Sequence, residues 1–324
     1  MQVAQIESMG TLYESFVLSQ LVHPGVIGFI VLSGYCIRLS VTPSVFDAKK
    51  FMLRRFFRIM PVYWAATLTA VLCSIFISQN LNVLDVLLRV LILSPFLPLR
   101  ASLGNLPLDT VAVEFYLYII YAIVLRFQLR YSLIGLIAAG IFFPPLLPSI
   151  EFDRVWSFTN ILAFLPYWWL GVLAAEIKLN TSNARVVKIQ HLINKDIAVG
   201  IALLAMILLT FSTTFFDRYS ISGAGIRYLN QFLFSFIIVI ILVRGYLSWH
   251  SKFLLKIGLA SYALYAFHMP ILILTETVFQ SGFLIFWVGV IMSVMVALIM
   301  NLILEKPLHL MGKQITQNAK LINN

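Results

Sequence analysis

Lys49-Lys50-Phe51-Met52-Leu53-Arg54-Arg55-Phe56-Phe57-Arg58-Ile59-Met60-Pro61-Val62-Tyr63-Trp64 is the stretch on which the fold turns. Its first part carries too many cations to cross a lipid core, whereas an apolar run long enough to do so begins near Met60. The basic part, with Phe51, Met52, Phe56 and Phe57 interleaved, suits a helix lying in the membrane interface over 44–59. The apolar part predicts a span over 60–79.

Outward from this stretch the apolar theme repeats. The 324 residues are 61% hydrophobic and 11% charged, with a mean hydropathy of +0.95. A water-soluble globule cannot hide that much apolar surface. Runs of about 20 residues, each able to cross a core of about 30 Å at about 1.5 Å per residue, recur along the chain. They lie near 24–43, 60–79, 110–127, 131–150, 157–176, 196–214, 226–244, 258–279 and 282–304. The expected fold is therefore all-α: a polytopic membrane bundle of about nine transmembrane helices plus the basic interfacial helix. It forms a single integral membrane domain over 1–324, with 1–22 as an N-terminal segment and 310–324 as a tail. Residues 1–22 lack a basic start followed by an apolar stretch, so they are not a signal peptide. Residues 83–97 carry Asp85 and Arg89 one helical turn apart and predict an amphipathic helix on the outer side, or a further span.

A net charge of +10 could suit nucleic acid, but the cations alternate by loop. Those of 44–59, 128–130, 177–195, 245–257 and the tail fall on one side. Only Arg89, Arg100, Arg154, Arg218 and Arg227 fall on the other. The positive-inside rule then makes the C-terminus cytoplasmic and places 1–23 outside, in a multi-pass protein of the plasma (inner) membrane. Cys36 and Cys73 fall in spans and read as small apolar residues.

Ionisable groups inside spans are costly and so mark candidate sites. Thr110, Glu114, Tyr118 and Tyr121 share one helical face, which makes Glu114 either a general base or orienting group, or a hydrogen-bonded packing residue. Ser261, Tyr265 and His268 share another face beside Pro270, and His268 suits proton shuttling or a contact to a neighbouring helix. Arg54, Arg55 and Arg58 lie on one arc and can converge on a phosphate, or serve as topology anchors and lipid contacts. His23 precedes the first span and is either a surface or a catalytic histidine. Gly34, and Gly171 with Ala175, suit close helix packing. Asn230, Gln231 and Ser235 line a cavity or cross-link helices. The chain has no phosphate-binding glycine loop, no Gly-x-Ser-x-Gly elbow and no metal-spaced His or Cys pair. This disfavours an ATP-driven pump, an ordinary serine hydrolase and a metalloenzyme.

Five blocks in order carry a resemblance. Gly25–Ile37 is similar to a segment ending Leu-Ser-Gly-Phe, and Phe51–Trp64 resembles Arg-Arg-x-x-Arg-Ile-x-Pro-x-Tyr-Trp. Leu108–Tyr118 resembles Trp-Ser-Leu-Ser-Val-Glu-x-x-Phe-Tyr without its tryptophan. Ser261–Pro270 matches Ser-Tyr-x-Leu-Tyr-x-x-His-x-Pro, and Leu304–Pro307 matches a closing Glu-Arg/Lys-Pro. Together they resemble the acyltransferase-3 family of multi-pass acyltransferases that modify glycans and lipids.

The resemblance implies transfer of an acyl group, most often acetyl, from cytoplasmic acyl-CoA (acetyl-CoA) to a hydroxyl of an extracytoplasmic or lipid-linked glycan. No metal and no nucleic acid is implied, and membrane lipids surround the protein. Arg54, Arg55 and Arg58 would hold the donor phosphates. Glu114 or His268 would move a proton or orient the reacting group, and all would share one chamber. Family members normally begin with a span bearing an arginine and, some turns on, a catalytic histidine, which residues 1–22 do not supply. The expectation is a chain that starts late or a divergent member, with His23 as a substitute by proximity. A proton-coupled transporter or flippase using Glu114 and His268 as a relay, and a non-catalytic family member, are the alternatives.

Overall fold

The structure, a computed structural model of the chain, describes residues 24–43, 46–78, 81–96, 105, 107–142, 159–180, 184–193, 200, 204, 224–245, 256, 258–279 and 283–321. His23, residues 1–22 and nearly all of the expected span 196–214 lie outside them. The helices are α1 (Pro24–Leu39), α2 (Ala48–Phe76), α3 (Val83–Val90), α4 (Pro107–Arg126), α5 (Tyr131–Phe142) and α6 (Thr159–Leu179). They continue with α7 (Ala184–Ile193), α8 (Ala224–Arg244), α9 (Ser261–Phe279), α10 (Phe283–Met300) and, after a π-helical turn at Asn301–Glu305, α11 (Lys306–Leu321). No strand occurs among the described residues. Four helical stretches there are long and apolar enough to cross a membrane: Ala48–Phe76, Pro107–Arg126, Ser261–Phe279 and Leu284–Gln317.

The basic segment differs from expectation. It is no separate interfacial helix but the first part of α2, which runs unbroken for 29 residues. Asp47 caps its start, with Oδ1 accepting the Lys50 N–H at 3.0 Å. Pro61 then removes only the bond to the Phe57 carbonyl, so the helix continues past it. At about 1.5 Å per residue α2 is about 44 Å long. A span through its apolar end therefore leaves the basic turns beyond a hydrocarbon core of about 30 Å.

The chain divides into two compact units. One comprises residues 1–45 and 128–249, the other 46–127 and 250–324. In the first unit, α6 packs against α1, α5 and α8. Two glycines set the α1–α6 approach: a Cβ on Gly34 would strike the Trp168 carbonyl, and one on Gly171 would meet Val31 and Tyr35 backbone atoms. Ala175 is fully buried beside them, as the packing expectation required. Arg38 then pairs with Glu176 at 2.5 Å between the same helices. Gln231 accepts the Tyr167 hydroxyl at 3.4 Å, so it cross-links α6 and α8.

In the second unit, α2 packs against α3, α4, α9 and α11, and α9 against α10. Helix α3 turns its charged face inward. Asp85 and Arg89 are each 1% exposed, while Leu84 and Leu87 face outward. The expected amphipathic helix is present, but at eight residues it is too short to be a further span. The π turn before α11 also has a local cause. Pro307 has no N–H, and its ring crowds the Ile303 carbonyl, so the turn widens and Lys306 N–H bonds back to the Asn301 oxygen.

Candidate active site

The described candidate residues all belong to the second unit. Thr110, Glu114, Tyr118 and Tyr121 are buried together along α4, so the polar stripe read from the helical period faces the interior. Glu114 Oε1 accepts a hydrogen bond from the Tyr118 hydroxyl. Over the same Tyr118 ring lies the Arg55 guanidinium, its carbon 5.8 Å from the ring centroid and 5.3 Å from that of Phe51. Arg55 and Glu114 are thereby joined through one tyrosine.

The other two arginines turn toward the end of the chain. Arg54 Nε donates to Thr316 Oγ1 at 2.8 Å. Arg58 Nε lies 4.0 Å from Glu305 Oε1. Glu305 sits in the π turn, buried, and was missing from the residues picked by spacing. Its signal was present in the closing Leu304–Pro307 block, which placed a carboxylate at the end of the last apolar run.

His268 is half-buried on α9, and its Nδ1 lies 2.9 Å from the Tyr265 carbonyl oxygen and 3.2 Å from that of Leu264. Carbonyls only accept, so Nδ1 carries the hydrogen and Nε2 the lone pair when the ring is neutral. The face of α9 that enters the interior is not Ser261–Tyr265–His268 as a set, because Ser261 is exposed. Tyr262 enters instead, fully buried, donating to the Ile59 carbonyl at 3.0 Å and lying in the field of Glu114. The hydroxyl of Tyr265 sits in the fields of Glu114 and Asp109, beside Thr110. One small apolar crevice, with no room for a water molecule, is lined by Ala260, Leu264, Val294, Ala297 and Leu298. It includes none of the candidate residues.

Next to the start of α4 lies a charged knot. Arg89 reaches Asp85 at 3.2 Å, the Asn105 carbonyl at 3.2 Å and Asp109 at 3.1 Å. Asn105, itself fully buried, donates from Nδ2 to the Ala266 carbonyl at 3.1 Å. That carbonyl is available because Pro270, four residues on, has no N–H to give it. The knot thus ties α3 and α4 to α9, two residues before His268. Asp85 and Arg89 were legible as a helical pair, but their burial and their tie to Asp109 were not.

Polar groups therefore run in file through the second unit, from Asp85, Arg89 and Asp109 past Thr110 and Tyr265 to Glu114, Tyr118 and Arg55. Such a file can hold a buried carboxylate beside a guanidinium and relay a proton along hydroxyls. Among the described residues no His, Cys, Asp or Glu group is arranged to hold a metal ion. No curated protein and no solved structure matches the chain. The family model described as an acyltransferase domain matches residues 4–302, beginning upstream of the recognisable blocks and spanning parts of both units, and the chain belongs to the acyltransferase-3 family.

Proposed function

We propose that this chain is a membrane-embedded acyltransferase that moves an acyl group, acetyl in the first instance, from cytoplasmic acyl-CoA to a hydroxyl of an extracytoplasmic or lipid-linked glycan. The observation that carries the reading is the Arg55–Tyr118–Glu114 array, which joins the basic end of α2 to a buried carboxylate. Arg54, Arg55 and Arg58 hold donor phosphates in this scheme. Glu114 takes the acceptor proton or orients the group that does, and His268 presents its Nε2 lone pair as the second candidate base. His23 is the third candidate, by its place before α1. The hydroxyl oxygen attacks the thioester carbonyl, the C–S bond breaks, and the thiolate leaves with a proton. The proposal includes a single membrane domain of about nine spans in the plasma membrane, with α11 on the cytoplasmic side.

The test is transfer from radiolabelled acetyl-CoA in membranes containing the chain. Wild type should yield a labelled product, and Glu114→Gln should yield none while remaining folded in detergent. A fully active Glu114→Gln would remove the carboxylate from the mechanism. A proton-coupled carrier would move solute and leave no acylated product, as would a non-catalytic relative without the transport.

A further inference from the structure

Helix α11 falls where the sequence suggested only a tail, yet it packs along the basic end of α2. Three antiparallel contacts fix the pairing: Glu305 beside Arg58, Gly312 against Phe57, and Thr316 under Arg54. At Gly312 an added Cβ would come within 2.9 Å of the Phe57 Cβ, so the glycine sets how near the helices lie. On α11, His309, Lys313 and Thr316 share one face. The positive fields of Arg58, Lys313, Arg55 and Arg54 all fall on the His309 imidazole. Arg54, Arg58 and Lys313 are solvent-exposed there. His309 Nδ1 and Glu305 Oε2 are buried atoms that make no hydrogen bond among the described residues.

Four like charges gathered on one imidazole repel one another. The two nearby carboxylates, Glu305 and Glu114, are both buried on the inner side. Two carboxylates cannot offset four cations, so the surface between α2 and α11 carries excess positive charge. A topology anchor needs cations near a span, but not cations converging from two helices onto a buried ring nitrogen.

We propose that His309 and Lys313 of α11 complete, with Arg54, Arg55 and Arg58 of α2, a site for a phosphate-bearing anion. Its identification with the nucleotide end of the acyl-CoA donor rests on the acyl-transfer reading above; an anionic lipid headgroup has the same chemistry. Bidentate arginines and a histidine donor match phosphate oxygens, and the exposed lysine supplies a point charge.

Isothermal titration of the full chain in detergent, with coenzyme A in one arm and phosphatidylglycerol in the other, separates the two sources. His309→Ala with Lys313→Ala should weaken coenzyme A binding by about 10- to 100-fold, in line with losing charge-assisted phosphate contacts. Lys313→Glu, at an exposed position that does not endanger folding, should weaken it at least as much. Lys306→Ala, also exposed on α11, should leave it unchanged. If phosphatidylglycerol alone binds, and does so through His309 and Lys313, the anion site stands with lipid as its ligand and the donor assignment falls. Equal coenzyme A affinity in wild type and Lys313→Glu overturns the inference and leaves acyl transfer intact. The absence of binding by either ligand overturns the inference and counts against the acyl-CoA donor as well. Binding that depends on these residues, without any acetyl transfer, defeats the proposed function and not the site.

Discussion

Removing Arg89 should be the most damaging single change in the second unit. Arg89 and Asp85 are each 1% exposed, and the guanidinium contacts Asp85, Asp109 and the Asn105 carbonyl within 3.2 Å. Arg89→Met keeps the volume and the apolar stem but leaves two carboxylates facing each other without a cation. Breaking a buried pair from one side costs about 3–5 kcal/mol, since the stranded charge has neither water nor partner. Changing Asp85 and Asp109 to Asn at the same time removes the stranded charges. The triple variant should then recover most of the loss, because neutral groups of like shape replace buried ion clusters at little cost. Denaturant unfolding in detergent, followed by tryptophan fluorescence, measures this. Trp64 Nε1 bonds the Val90 carbonyl at 3.0 Å and so reports on the end of α3 directly. A loss below about 1 kcal/mol in Arg89→Met would mean that the knot is not an ion cluster in the folded protein. A triple variant no better than the single would place the loss in packing and refute the charge account. Because Asn105 also holds the Ala266 carbonyl near His268, acyl transfer should fall with stability in the single variant and return in the triple.

Three further outcomes follow from the geometry. Tyr118→Phe keeps a ring under Arg55 but deletes the donor to Glu114; at about 1.5–3 kcal/mol for a hydrogen bond to a charged group, transfer should fall about 10- to 100-fold, and an unchanged kcat would show that the bond does not serve the reaction. Gly34→Ala and Gly171→Ala each push a methyl into the backbone of the facing helix, so each should cost about 1–3 kcal/mol by the same unfolding assay, with a neutral result placing the helices further apart than described. Asp47→Ala should cost about 1 kcal/mol of α2 stability. The Lys50 backbone N–H holds the Asp47 carboxyl below its ordinary value of 3.8. Its stabilisation is therefore whole above about pH 4 and fades as pH falls through the lower folded value; a wild-type acid limb identical to that of Asp47→Ala would refute the cap.

By itself the sequence determined the class of solvent, the all-helical fold and the family. Apolar run length and the alternation of cations between loops are one-dimensional properties, and lipid leaves a spanning backbone little choice but to bond within its own segment. The inward face of Glu114 was legible for the same reason, since Thr110, Glu114, Tyr118 and Tyr121 fall in register with the helical period. The close packing at Gly34 and Gly171 was legible from residue size. What spacing could not supply was pairing across elements distant in the chain. Arg54 with Thr316 and Arg58 with Glu305 bring together residues separated by most of the second unit's sequence. Only the tertiary structure decided that α2 continues through Pro61, that α3 turns its charges inward, and that α11 lies along the basic helix. In each case the deciding energy is satisfaction of a buried polar or freed backbone group by a partner that no local pattern names.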